Sequence, residues 1–232
     1  MTIPITPIAS VRSPFKQRFS IPRQPNLAPA AEGIIVFKEE FKDPNYLREL
    51  EQFSHLWLIF IFHAVAGKGW APTVQPPRLG GKERVGVFAS RSPFRPNPIG
   101  ISVVTNLGVN TEGSETGVRV GGLDLLDGTP IVDIKPYIPY ADSIPGASAG
   151  FATTPPDADL AIQFTEIAES QLGKIEPNYP NLRDLITQVL RQDPRPAWRV
   201  KESDDKCYGM DLYEFNIKWK FIDGDIHVLT VL

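Results

Sequence analysis

Twenty-three prolines and 18 glycines punctuate a chain of 232 residues. Proline inside a helix loses a hydrogen bond and clashes with the preceding turn, and glycine there costs about 1 kcal/mol against alanine. A helix bundle does not survive breakers at this density. Short strands joined by stiff loops do. The runs between the breakers fit that reading. Residues 4–11, 33–37 (GIIVF), 56–62, 85–89, 99–107, 117–124 and 129–137 are rich in β-branched and aromatic residues and read as strands. The run 56–62 is apolar throughout, as expected of a strand buried on both faces. Only one short helix is expected among them. It starts at Asp43-Pro44, with Tyr46, Leu47 and Leu50 at helical spacing and Phe53 a turn on. Strands in succession predict an antiparallel barrel or sandwich, not βαβ alternation.

After residue 146 the character changes. A linker of small residues leads to two expected helices, 158–172 and 181–191, and to an expected hairpin from 208–220 and 226–232. The fold class is therefore mainly β, with a β-rich N-terminal domain over 1–146 and a small α+β domain over 147–232.

Hydrophobic residues make up 42% of the chain, enough to fill a core without staples. One cysteine, Cys207, excludes an internal disulfide and a multi-cysteine zinc site. Three histidines, His55, His63 and His227, stand without carboxylates at ligand spacing, so no metal site is expected. The N-terminus lacks the apolar core of a signal peptide, and the most apolar run, 56–65, is too short to span a bilayer. A cytoplasmic protein with no membrane association is the expectation.

The formal net charge is −3 but unevenly placed. Residues 1–146 carry 15 Lys and Arg against 13 Asp and Glu, whereas 147–232 carry 9 against 14. Within 78–95, Arg78, Lys82, Arg84, Arg91 and Arg95 face one acid, Glu83. Such a patch can hold phosphates in an acidic chain, or simply keep a loop solvated.

No dinucleotide fingerprint and no phosphate-binding P-loop sequence occurs. Residues 146–150 (GASAG) match the spacing of a hydrolase nucleophile elbow centred on Ser148, with His227 downstream. An elbow needs a strand before and a helix after, and Ile144-Pro145 and FATTPP supply neither. A serine hydrolase is thus the weakest reading. Four segments draw more notice: 22–26 (PRQPN), 53–63, 76–100 and 121–137. Each joins a strand to a loop stiffened by proline or opened by glycine, a preorganised setting for Gln24, Arg91, Arg95, Asn97, Asp124 and Asp127.

These segments resemble the TsaA/TrmO family, the YaeB-like proteins. The stretches that carry the resemblance are RSPFKQRFSIPRQP, LEQFSHLWLIFIFH, WAPTVQPPRLGG, RVGVFASRSPFRPNPIGIS and DLLDGTPIVDIKPYIPYADS, with DPRPAW and YGMDLYEFNIKW near the C-terminus. The resemblance implies an S-adenosylmethionine-dependent tRNA methyltransferase acting on N6 of threonylcarbamoyladenosine at position 37, beside the anticodon of threonine tRNA. It implies a small β-barrel rather than a Rossmann sheet, and a homodimer with the cofactor near the interface. It places Gln24, Pro25, Asn26, His63, Ala64, Arg91, Ile101, Gly122, Leu123, Asp124 and Leu125 around the cofactor. The family often has glycine where this chain has Asn26. Arg91 can clamp the cofactor's carboxylate, or serve as a phosphate contact or a partner for a protein carboxylate.

The N6 of that nucleoside belongs to a urea, so its lone pair is delocalised and a base or polarising donor would help. Asp127 is the candidate base, and Lys135 or Tyr137 the candidate donor. Each has a structural reading: Asp127 in the Asp-Gly turn, Lys135 paired with Asp133, Tyr137 packed in the core. Arg78, Lys82, Arg84 and Arg95 would meet the phosphates of the anticodon stem-loop, with Trp70 and Phe94 available for base stacking. A non-catalytic RNA- or nucleoside-binding barrel remains the main alternative.

Overall fold

The computed structural model describes residues 2–80, 83–110, 116–156, 160–195 and 206–232. By packing, the chain forms two compact units. One comprises Met1–Arg12, Gly33–Gly121 and Gly128–Pro155, the other Ser13–Glu32, Gly122–Asp127 and Pro156–Leu232. The expected division is a single cut at 146/147. The packing instead assigns two early segments, 13–32 and 122–127, to the later unit. Neither segment has strand pairing of its own to hold it to the barrel.

The first unit is a closed six-stranded antiparallel barrel. Its strands are β1 (Ala9–Arg12), β2 (Gly33–Phe37), β3 (His55–Ile61), β6 (Ile99–Asn110), β7 (Gly117–Gly121) and β8 (Pro130–Pro136), in the spatial order β1-β2-β7-β6-β3-β8. Between β3 and β6 lies a two-stranded ribbon, β4 (Thr73–Val74) with β5 (Val85–Gly86). Period-two patterning decides which side chains go inside. Leu56, Leu58 and Phe60 of β3 meet Val104, Val118, Val120, Ile131 and Ile35 in the barrel core, all nearly free of solvent. Each such side chain contributes about 1.5–3 kcal/mol on burial.

Strand β3 corrects the expectation of burial on both faces. Its Trp57, Ile59 and Ile61 are only half-buried. A barrel has one interior, and these three side chains stand on its outer face. The register sets Ile59 opposite Ile101 and Ile61 opposite Ile99, so the outer face of β3 and β6 carries an apolar strip.

The expected helix at 44–53 is a pair of 3-10 turns, Pro44–Leu47 and Leu50–Gln52. Asp43 accepts from the Asn45 amide at 2.9 Å and starts the first turn as expected. Glu49, with φ 67°, then takes a left-handed conformation and ends any continuous helix. A four-residue helix, α1 (Pro139–Asp142), follows the barrel, and Asp142 accepts from Trp57 Nε1 at 3.0 Å.

The second unit has a four-stranded sheet in the order β10-β11-β12-β9. Here β9 is Ile162–Phe164, β10 Tyr208–Leu212, β11 Phe215–Ile222 and β12 Asp225–Val231. Helices α2 (Glu166–Ile175) and α3 (Leu182–Arg191) belong to the same unit. The helix expected over 158–172 begins only at Glu166, where Thr165 Oγ1 caps the Ala168 amide. The residues before it add β9 as a parallel edge strand on β12. The segment 208–220, expected as one arm of a hairpin, is itself a hairpin turning at Tyr213 (φ 53°) and Glu214. Arg183 ties α3 to α2 through Glu169 at 2.7 Å and Glu176 at 2.8 Å, and its hydrogen bond holds the Glu169 carboxyl below the usual carboxylate range. Burial, helped by the nearby Glu32 carboxylate, pushes Tyr213 up to about 12.

Gly100 sets the packing at the end of β3. A Cβ there would lie 2.3 Å from Phe60 Cζ and 2.9 Å from Phe62 Cζ. Gly100→Ala must displace two aromatic rings that touch edge to face at 5.1 Å. Denaturant unfolding should show a loss of about 1–3 kcal/mol, and an unchanged midpoint would contradict this packing.

Candidate functional site

The expected cofactor residues fall into two sets. Gln24, Pro25, Asn26 and Gly122, Leu123, Asp124, Leu125 belong to the second unit; His63, Ala64, Arg91 and Ile101 belong to the barrel unit.

In the second unit, backbone hydrogen bonds join two loops. The Asn26 amide donates to Gly122 O at 2.9 Å, and the Leu123 amide donates to Ala31 O at 3.2 Å. Asn26 has φ 62° and Gly122 has φ 70°. Two left-handed residues back to back let the loops approach so closely that a Cβ on Gly122 would lie 2.1 Å from Asn26 Oδ1. Asparagine tolerates this conformation better than other residues with side chains. That explains how Asn26 stands where the resembling family often has glycine. Leu123 and Leu125 are buried, whereas Asp124 between them is half-buried and Asn26 is exposed. The leucines anchor the turn, and the Asp124 carboxylate between them has its Oδ1 buried.

Asp127 closes the other end of this turn. Its Oδ1 accepts from the Ser13 amide at 2.8 Å, and its Oδ2 lies 2.7 Å from Lys16 Nζ. Its own amide donates to Phe15 O at 2.9 Å, and buried Ser13 Oγ donates to Leu125 O at 2.7 Å. The carboxylate expected as a base is thus a clamp between the start of the 13–32 segment and the end of the 122–127 turn.

In the barrel unit, the far end of β3 meets the loop before β6. The Phe62 amide donates to Pro98 O at 2.7 Å, and His63–Val65 then form a 3-10 turn with His63 and Ala64 half-buried. The loop 90–98 holds its own shape: Ser90 Oγ donates to Val87 O at 2.8 Å, and the Phe94 amide donates to Ser92 Oγ at 3.2 Å. Arg91 is exposed on this loop, and Ile101, 49% exposed, follows on the outer face of β6.

Lys135 stands where its structural reading puts it, whereas Tyr137 is half-buried rather than packed in the core. Lys135 Nζ pairs with Asp133 Oδ2 at 2.9 Å. Tyr137 packs against Trp57 at 5.9 Å and His55 at 6.3 Å between ring centroids, and His55 Nδ1 lies 2.9 Å from Ser54 Oγ.

The basic residues are held rather than loose. Arg78 Nη2 donates to the backbone O and the hydroxyl of Thr154 and to Pro155 O. Arg84 donates from Nε to Thr73 Oγ1 at 2.9 Å and from Nη2 to Thr73 O at 3.2 Å. Arg95 Nη1 reaches Ser90 O at 3.4 Å. Lys82 lies outside the described residues. Trp70 and Phe94, expected to stack, are 58% and 40% exposed. Phe88 escapes the sequence reading, because VGVFA scans as one strand. The strand stops at Gly86, and Phe88 stands 79% exposed on a 3-10 turn. Glycine one residue before Val87 is the signal that marks this early end.

Ser148 is exposed in a turn after Gly146 (φ 76°), with no strand leading in and no helix leading out, while His227 is paired within the sheet at the centre of β12. No nucleophile elbow is formed. Among the described residues no group of three His, Cys, Asp or Glu could hold a metal ion.

Comparison with known proteins adds a second line of evidence. The model of the tRNA-methyltransferase O N-terminal domain matches residues 10–143, and that of the TrmO C-terminal domain matches residues 157–232. The tRNA (adenine(37)-N6)-methyltransferase of Escherichia coli K12 is 47% identical over 224 residues, covering 97% of this chain and 95% of its own. A Pseudomonas aeruginosa protein, provisionally named an S-adenosylmethionine-dependent methyltransferase, is 43% identical and covers 100% of this chain and 98% of its own. A crystal structure of TrmO from Pseudomonas aeruginosa superposes with a TM-score of 0.84 at 38% identity, covering 100% of this chain and 99% of that one.

The contact between the two loops of the second unit yields a specific test. Gly122→Ala adds a clash with Asn26 to the roughly 1–2 kcal/mol cost of a left-handed conformation. Pairing it with Asn26→Gly should relieve the clash and restore part of the loss in thermal unfolding. Equal losses in the single and double variants would show that the loops do not meet there.

Proposed function

The chain belongs to the tRNA-methyltransferase O family, and on that premise we propose that it is an S-adenosylmethionine-dependent methyltransferase of N6 of adenine 37 in tRNA. The substrate nucleoside in this reading is threonylcarbamoyladenosine in threonine tRNA. The observation that carries the activity is the likeness to the Escherichia coli enzyme, which runs almost end to end through both units.

S-adenosylmethionine, when bound, supplies a methyl group on a sulfonium for in-line displacement. Each unit, taken by itself, has residues whose chemistry suits such a group. The turn 122–125 offers backbone polar groups and the Asp124 carboxylate to an adenosine, and the exposed Arg91 offers a planar donor pair to an amino-acid carboxylate. Ile101, with its exposed side chain, offers apolar wall. The protein's share of the chemistry is then to align N6 with the methyl and to exclude water.

The handling of the N6 proton follows from the local geometry. Asp127 and Lys135 have their charges matched by Lys16 and Asp133. Tyr137 has no described hydrogen-bond partner for its hydroxyl, which makes it the better candidate for a polarising contact. Arg84 and Arg95, with Arg78 and Lys82 on the same stretch, are proposed to meet the phosphates of the anticodon stem-loop.

We further propose a homodimer acting in the cytoplasm. Support for the dimer is the apolar strip on β3 and β6, whose Ile99 and Ile101 are 36% and 49% exposed. No helix among the described residues is long and apolar enough to cross a membrane.

Calorimetry with S-adenosylmethionine tests the cofactor reading. Wild-type protein should bind, and Arg91→Ala should bind about ten- to a hundredfold more weakly, the worth of a charged hydrogen-bonding pair. No binding by the wild type, with or without tRNA, would overturn the reading. Asp127→Asn then separates clamp from base. The clamp predicts a raised cofactor KM with kcat and its pH profile kept. A base predicts a kcat about a hundredfold lower or worse and a lost acid limb.

A further inference from the structure

The ribbon of β4 and β5 carries two flat apolar surfaces that the barrel core does not use. Thr73 pairs with Gly86 and Val74 with Val85, and the Val87 amide carries the pairing one step on by donating to Pro72 O at 2.9 Å. This brings the segments holding Trp70 and Phe88 to the same end of the ribbon. Their exposures, 58% and 79%, are far beyond what a packed aromatic shows. Phe88 is not on a floppy tip. Val87 is buried, and both the amide and the hydroxyl of Ser90 donate to Val87 O, so the turn bearing Phe88 is pinned on both sides.

The ribbon's charge decides what such rings could meet. From residue 68 to residue 95 the chain has Lys68, Arg78, Lys82, Arg84, Arg91 and Arg95 against Glu83 alone. The Arg84 guanidinium is fixed on the ribbon by its two bonds to Thr73, with donors to spare. Rigid exposed rings among fixed cations are the elements that hold single-stranded nucleic acid: the rings stack bases and the cations follow the phosphates.

We infer that the ribbon is a base-stacking platform for unpaired nucleotides of the RNA substrate, with Phe88 and Trp70 as its faces and Arg84 as its phosphate contact. This rests on the tRNA reading above and names the residues that take the splayed loop. Stacking is indifferent to base identity, so the platform orients the loop and leaves nucleotide choice to the cofactor site.

The test measures binding of the full-length protein to a synthetic tRNA anticodon stem-loop and to a fully paired RNA of equal length. Phe88→Ala should bind the stem-loop about ten- to a hundredfold more weakly, with Phe88→Trp retaining affinity. The fully paired RNA should be bound equally by all three. Arg84→Ala should instead weaken both RNAs and flatten the salt dependence by about one phosphate contact. Equal stem-loop binding by wild type and Phe88→Ala would overturn the inference. So would a Phe88→Ala protein that turns monomeric while holding the stem-loop as before, because the ring would then belong to a contact between copies. A wild type that binds neither RNA would bring down the tRNA reading itself. A platform at fault leaves wild-type RNA binding intact, so the two failures are distinct.

Discussion

Four residues, Ala9–Arg12, close the barrel. They pair with β2 along their whole length and with β8 through Ala9 and Ser10. Without them the sheet would end in two bare edges with unpaired backbone groups. The bonds run on past the strand ends, Val11 donating to Thr129 O at 2.9 Å and Gly128 donating to Val11 O at 2.8 Å. The chain leaves the barrel unit at Ser13, returns at Gly33, leaves again at Gly122 and returns at Gly128.

This arrangement accounts for the proline and glycine content. A barrel this small must turn tightly and often, and its loops must hold position without much core of their own. The loop 90–98 does so through a chain of serine-to-backbone bonds at Ser90 and Ser92, ahead of its prolines. The turn 122–125 does so by burying Leu123 and Leu125 on either side of Asp124. In both loops, apolar or hydroxyl neighbours take the structural role.

Much of the barrel was legible in the sequence because its signal is local. GIIVF is β2 to the residue, whereas LWLIFIF is apolar at every position and does not by itself show that only Leu56, Leu58 and Phe60 enter the core. What escaped was set by long-range or single-residue effects. Nothing local marks Ile162–Phe164 as a strand, since its partner β12 lies some sixty residues on. The clustering of 13–32 with the later unit depends on contacts such as the bond the Ala30 amide donates to Gln188 Oε1, which no periodicity reports. Glu49 breaks a helix that its neighbours favour. At the candidate site, composition and the resemblance single out the loops, but the partners of Asp127 are seen only in the geometry. A carboxylate beside a glycine reads equally well as a base or as a clamp until its partners are seen.

The central claim is methyl transfer to tRNA adenine 37, and its most direct measurement is nucleoside mass spectrometry. Purified protein would be incubated with S-adenosylmethionine carrying a labelled methyl group and with threonine tRNA bearing threonylcarbamoyladenosine but lacking the methyl group. The account predicts one labelled methyl on N6 of that nucleoside and none when the cofactor is withheld. A tRNA that stays unlabelled with active, cofactor-binding protein, or a label found on another nucleoside, would contradict it.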